Sequence, residues 1–176
     1  LLLGESYRSF YVNETKDLND VLEQWTQWDN RVIGDREDLT VAMHVCRGNQ
    51  ASRWLVEGSY EPLAEVLFQR LNVDRFLLEY DDERSGGFEP LRKMPDNKQV
   101  MLGLMTTKHS ELETTDDLRA GVRRAAQYHP KENLGLCPQC GFSSSTVGNK
   151  LSHEDQKRKL RRLVEAVNRI DWNETC

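Results

Sequence analysis

The chain reads as an α/β protein on a parallel sheet, four strands alternating with helices. Three observations lead there. The strand segments are nearly continuous apolar runs, as strands covered on both faces require. The segments between them carry apolar residues at helical spacing. Turn signals rich in glycine and polar residues separate the two kinds of segment. Four such units make either a small open sheet or half of an eight-stranded barrel. A half-barrel leaves two unpaired strand edges and an uncovered inner face. It therefore either finds partner strands, from a missing half-barrel or from a second copy of the chain, or is only marginally stable.

The units follow in order. Residues 39–46 (LTVAMHVC) form the first strand, ended by Arg47-Gly48-Asn49. Residues 60–71 form a helix with Leu63, Val66, Leu67 and Leu71 on one face. Residues 75–80 (RFLLEY) are the second strand, and residues 81–94 a long connection with a short helix at 88–93. Residues 99–107 (QVMLGLMTT) are the third strand. Thr114 or Thr115 caps the next helix, whose first turn holds Asp116 and Asp117 and whose buried face is Leu118, Val122, Ala125 and Ala126. Residues 133–137 are the fourth strand. Ser152 caps the last helix, with Leu160, Leu163, Val164, Val167 and Ile170 expected inside and the basic run 157–162 on a solvated face. An amphipathic helix at 15–28, with Leu18, Val21, Leu22 and Trp25 on one face, precedes all of this. The expected division is an N-terminal helical segment, residues 1–37, and a βα half-barrel, residues 38–176.

Composition narrows the function classes. The chain has 176 residues, 38% hydrophobic and 30% charged, with a net charge of −5. Acidity argues against nucleic acid as a partner. No stretch nears 18 apolar residues, so no membrane span is expected. The opening LLLGESYRSF is too short and polar for a signal peptide and lacks Met, so the chain is expected to begin mid-protein or to have been trimmed. A reducing, cytoplasmic setting is expected, where Cys46, Cys137, Cys140 and Cys176 bind metal or stay free rather than pair. The sequons at Asn13 and Asn173 are then chance matches.

Parallel α/β proteins place their chemistry at the C-terminal ends of strands. His44 and Cys46 lie two apart at one strand end, so their side chains share a face. Glu79 sits in an apolar run near the next strand's end, where a carboxylate needs a cation or a partner. Cys137 and Cys140 end the fourth strand. Imidazole, thiolates and carboxylate on one rim suit tetrahedral Zn²⁺. Each piece alone has other readings: a buried histidine beside an inert cysteine, a redox-active Cys-x-x-Cys, or half a zinc knuckle. Residues 81–83 read as a solvated acidic loop.

The blocks HVCRGN (44–49), LLEYDDERSGGFEPLR (77–92), LGLMTTKHSELE (102–113) and CPQCGF (137–142) resemble the C-terminal catalytic domain of the cobalamin-independent methionine synthase family, and especially its short single-domain relatives. The resemblance spans residues 38–172 and extends to the superfamily shared with uroporphyrinogen decarboxylase. It implies the C-terminal half of a (β/α)8 TIM barrel. It also implies zinc held by His44, Cys46, Glu79 and Cys140, with Cys137 beside the site rather than a ligand. Arg84 and Ser85 match a pair that follows the glutamate ligand, and Arg84 is expected to anchor its loop. His109 falls where the family places a histidine near substrate, so a proton-transfer role is expected. Trp54 and Phe142 are candidates for a pocket wall.

The implied activity is methyl transfer from 5-methyltetrahydrofolate to a zinc-activated thiol, homocysteine in methionine biosynthesis. The partners are then a small-molecule thiol and a methyl-folate. The family's amino-acid-binding part precedes the matched region, which leaves two alternatives: a non-catalytic, truncated zinc-binding member, or a related enzyme acting on another thiol. Decarboxylation of uroporphyrinogen would leave the Cys/His set idle.

Overall fold

The sheet forms as the apolar runs predict. In the computed structural model, which describes residues 3–12, 17–35 and 38–172, β1 (Ala42–Val45), β2 (Arg75–Glu79), β3 (Gln99–Met105) and β4 (Leu134–Pro138) lie in sequential order, all parallel. His44 pairs with Leu77, Leu77 with Met101, and Met101 with Gly135. β1 and β4 end a residue or more earlier or later than the apolar runs suggest, because hydrogen bonding, not hydrophobicity, sets strand ends.

Among the described residues five α-helices accompany the strands: α1 (Glu5–Arg8), α2 (Leu18–Ile33), α3 (Glu61–Arg70), α4 (Thr115–Ala125) and α5 (His153–Asn168). Their starts follow capping chemistry. Asp17 and Asp20 form a reciprocal capping box at α2, and Ser152 and Asp155 do the same at α5. Thr114 accepts the Asp117 amide at α4, and Pro62 opens α3, where its missing N–H costs nothing. The expected helix at 15–28 is thus α2, starting and ending later; residues 15 and 16 lie outside the described residues, as do Asn13, Asn173 and Cys176. In the long β2–β3 connection, two short 3₁₀ turns, Glu83–Ser85 and Glu89–Lys93, stand where a full crossover helix would be.

One face of the sheet carries the core. Phe76, Leu78, Val100, Leu102 and Leu136 alternate toward α3, α4 and α5 and are all but fully buried. Each contributes about 1.5–3 kcal/mol of burial energy. α4 packs on β3 and β4, α5 on β4 and α4, and α2 on α3. Asn30 fastens α2 to the end of α3, donating to the Arg70 carbonyl at 2.9 Å and accepting the Asn72 amide at 2.7 Å. Lys98 is buried beneath the same helix end. Its Nζ donates to the carbonyls of Phe68 (2.8 Å) and Leu71 (2.6 Å), where the negative end of the helix dipole favours a cation.

The opposite face carries Leu77, Met101, Gly135 and Cys137, which are only partly buried. The edges of β1 and β4 have no further strand among the described residues.

Two expectations fail, for one reason. Leu160 and Val164 of α5 are 39% and 58% exposed, although their spacing points inward. Lys159, in the run read as solvated, is 0% exposed. Its Nζ donates to the Glu111 carbonyl and meets Glu113 Oε2 at 3.0 Å, while Arg162 donates to the Glu113 carbonyl at 2.8 Å. The inward face of α5 looks at a polar loop, 111–113, so it selects a lysine whose charge is paired. The apolar stripe beside it is left uncovered. The acidic loop is a second correction: the Asp81 side chain is fully buried, ion-paired to Arg84 at 2.8 Å and to Lys108.

Candidate metal centre

The C-terminal strand ends gather four side chains. The donor atoms of His44, Cys46, Glu79 and Cys140 all lie within 4.8 Å of one another. His44 projects from β1 and Cys46 follows it on the same face. Glu79 is the last residue of β2, and Cys140 lies just beyond β4.

Two separations test whether a metal fits. Cys46 Sγ and Cys140 Sγ are 3.8 Å apart. Two sulfurs each about 2.3 Å from a tetrahedral zinc would stand about 3.8 Å apart, and a disulfide needs about 2.05 Å. His44 Nε2 and Glu79 Oε1 are 3.6 Å apart, against about 3.4 Å for nitrogen and oxygen ligands of one zinc. The donor set fits a borderline-soft cation, with two sulfurs, one imidazole and one carboxylate.

Without a cation the group shares protons instead. Cys140 is held far down as a thiolate, chiefly by the hydrogen bond with the Cys46 thiol and then by His44 and Ser144. Cys46 is correspondingly pushed up by donating to Cys140 and by burial. His44 is raised to about 9 by its hydrogen bonds to Cys140 and Glu79. A cation entering here would displace these protons.

Glu79 is fully buried and held on every side. Its Oε2 meets Arg84 Nη2 at 3.1 Å, and its Oε1 accepts Gln139 Nε2 at 3.4 Å. Tyr60 accepts the Glu79 amide at 2.9 Å and lies 3.3 Å from the Val45 carbonyl, tying the tips of β1 and β2 together. The Arg47 guanidinium stacks 4.2 Å from the centre of the Tyr60 ring. Gln139 belongs to a directed chain: Asn49 Nδ2 donates to Thr107 Oγ1 (2.9 Å), and Thr107 Oγ1 to Gln139 Oε1 (2.7 Å). Gly103 makes this possible. A Cβ there would stand 2.8 Å from the Leu78 carbonyl and 2.9 Å from the Gln139 Cα.

The remaining candidates fall elsewhere. Cys137 lies outside the four-residue group, its thiol raised to about 12 by burial and then by Glu79. Arg84 is buried rather than a surface arginine, and clamps Glu79, Asp81 and Asp82. Ser85 is fully buried beside it, its hydroxyl without a partner among the described residues. His109 is largely exposed, 3.9 Å from Glu111, and outside the four-residue group. Trp54 lines a groove next to Cys46, and Phe142 is not part of that lining. Sequence reasoning missed Asn49, Thr107, Gln139 and Tyr60. Gln139, between the two cysteines, carried the one local signal; the rest meet the site only through folding.

A parallel βα sheet with a His/Cys/Glu/Cys donor group at its strand C-termini belongs to the class of α/β-barrel proteins with a candidate metal centre at the rim. Comparison with known proteins is specific. Residues 14–168 match the family model "Cobalamin-independent synthase, Catalytic domain", and the chain belongs to that family. It is 50% identical over 143 residues to the uncharacterized protein YxjG of Bacillus subtilis, covering 80% of this chain and 38% of YxjG. It is 24% identical over 129 residues to the methionine synthase of Pyrococcus furiosus, covering 73% of this chain and 33% of that one. The crystal structure of a putative vitamin-B12 independent methionine synthase from Listeria monocytogenes superposes with a TM-score of 0.66 at 30% identity, over 93% of this chain and 45% of the other. The chain thus spans less than half the length of these relatives, and its four strands form part of the TIM-barrel domain those structures contain. No helix among the described residues is long and apolar enough to cross a membrane.

Proposed function

We propose that this chain is the metal-bearing part of a zinc-dependent methyltransferase of the cobalamin-independent methionine synthase type. It moves a methyl group from 5-methyltetrahydrofolate to a thiol, homocysteine by family membership, in a reducing cytoplasmic setting. The observation that carries this reading is the 3.8 Å sulfur–sulfur separation within a four-residue donor group at the strand ends.

His44, Cys46, Glu79 and Cys140 would hold the ion, whose charge would keep an acceptor thiol deprotonated near neutral pH. The chain's other residues keep that group in place. Arg84 and Gln139 orient the Glu79 carboxylate, and Ser144, 3.3 Å from Cys140 Sγ, orients that thiolate. Tyr60 fixes the separation of the first two strand tips.

Purified chain is expected to hold one zinc ion. Cobalt in its place should give the intense thiolate-to-metal absorption of a tetrahedral site, and Cys140→Ser should lose half of it and at least tenfold in affinity. A cobalt spectrum lacking thiolate ligation sinks the reading. Assays with homocysteine and other thiols then test the acceptor.

One observation favours a second reading, metal binding without turnover by this chain alone. His44 and Cys46 are exposed and the inner sheet face is open, whereas methyl transfer to a thiolate calls for a site closed to water. A zinc-loaded chain inactive with every thiol would support it.

A further inference from the structure

In a parallel sheet a helix usually fills the crossover between neighbouring strands. Between β2 and β3 two short 3₁₀ turns stand in its place. They leave a cavity of about 410 Å³ between that connection and the C-terminal end of α4. None of the four candidate metal ligands lines it. Tyr80 carries the strand ladder one residue further, its amide donating to the Gly103 carbonyl at 2.9 Å. Its side chain follows Phe76 and Leu78 onto the helix-covered face, and that of Glu79 takes the other.

The lining joins an aromatic wall to an acidic rim. Tyr80 and Phe88 are both buried, with ring centroids 4.6 Å apart. Four lining residues are carboxylates and one, Arg124, is a cation. Arg84 and Lys108, both largely buried, hold Asp81 and Asp82. Glu83 and Glu89 are exposed and enter no ion pair among the described residues. Glu89 folds back over Gly87, where a Cβ would collide with its carboxylate. Arg124 lies 5.5 Å from the centre of the Phe88 ring, so the aromatic wall already carries a cation. Tyr80 is 7% exposed, and its hydroxyl has no hydrogen-bond partner among the described residues. A buried polar group of this kind calls for one.

We propose that this cavity binds a small aliphatic cation, an ammonium or guanidinium group on a chain of a few carbons. The head group meets Glu83 and Glu89, the chain lies along Tyr80 and Phe88, and one N–H donates to the Tyr80 hydroxyl oxygen. Carboxylates outnumber cations on the lining, so an anion is repelled and an uncharged ligand leaves Glu83 and Glu89 unpaired. The volume is near the lower limit for small-molecule sites, which suits a short amine and not a polypeptide segment. The cavity lies on the helix-covered side of the sheet, so its ligand binds without touching the metal centre. The proposal stands whether or not that centre holds zinc.

The test titrates the chain calorimetrically with 1,4-diaminobutane and agmatine, and with 1,4-butanediol and succinate as uncharged and anionic counterparts of the same length. Both amines are expected to bind, and the diol and the diacid are not. Amide shifts in a ¹H–¹⁵N spectrum should move at Gly86, Gly87 and Tyr128 and stay still at Cys46 and Cys140. Glu83→Gln with Glu89→Gln should weaken amine binding about five- to tenfold, as exposed ion pairs allow. Glu154→Gln with Glu165→Gln, two exposed carboxylates of α5, should leave it unchanged. Tyr80→Phe removes only the hydroxyl and should weaken it about two- to fivefold. Arg124→Gln removes the competing charge and should tighten it. Zinc and EDTA should give affinities within about twofold of each other, since the metal centre takes no part. No saturable amine binding below about 10 mM overturns the proposal. So does an equal loss in the α5 pair, which marks general attraction to an acidic protein. Weaker binding in Arg124→Gln overturns it too, because that result assigns the cavity to a zwitterion.

Discussion

Arg84→Met removes the one guanidinium that faces three carboxylates. Arg84 meets Glu79 at 3.1 Å, Asp81 at 2.8 Å and also Asp82, and the first two carboxylates are fully buried. At an effective dielectric near 20, each contact at about 3 Å is worth about 5 kcal/mol gross. Desolvation of the ions cancels much of this. What remains is the cost of leaving buried charges without a partner, about 3–5 kcal/mol. Lys108 stays on Asp81, so the lower end, about 3 kcal/mol, is expected. A domain of ordinary stability, about 5–15 kcal/mol, survives this. Urea unfolding followed by circular dichroism, in EDTA and then in excess zinc, measures the effect. In zinc the deficit should shrink by about 1–2 kcal/mol, because the ion supplies Glu79 with the positive charge that the variant lacks. A loss below about 1 kcal/mol in EDTA would show that the clamp is not what holds the buried carboxylates. An equal loss with and without zinc would show that Glu79 does not respond to the metal.

Other perturbations follow from the same geometry. Gln139→Leu breaks the chain from Asn49 to Glu79 and should lower zinc affinity about 10-fold with little change of fold, measured by competition with a chromophoric chelator. Lys159→Met leaves Glu113 and the Glu111 carbonyl without their buried donor and should cost about 2–4 kcal/mol, read as a lower urea midpoint. His129 is buried, with Nε2 2.8 Å from the Lys98 carbonyl and Nδ1 unpartnered among the described residues, so burial holds it below its ordinary 6.5. Its contribution is therefore present above pH 6.5 and lost as pH falls through the folded value. Against the parent, His129→Phe should flatten the acid limb of a stability–pH curve; an unchanged limb counts against the assignment.

Much of the architecture is legible in the residues, because helical and strand periodicity, capping and turn chemistry act over a few positions. The alternation of β1 to β4 with α3 to α5, the caps at Thr114 and Ser152, and the placing of His44, Cys46, Glu79 and Cys140 at strand tips all have such local causes. What periodicity could not convey is which neighbour each face meets. Val164 has the spacing of a core residue and is exposed, while Lys159 has the character of a surface residue and is buried, because α5 packs on the polar loop 111–113. Asp81 reads as part of a solvated loop and is buried in an ion-pair network with Arg84 and Lys108, since Lys108 comes from the end of the next strand. Likewise the chain from Asn49 through Thr107 and Gln139 to Glu79 joins four connections that meet only after the strands pair. Charges and hydrogen bonds depend on distance in space, and a linear pattern carries that only for residues a few positions apart.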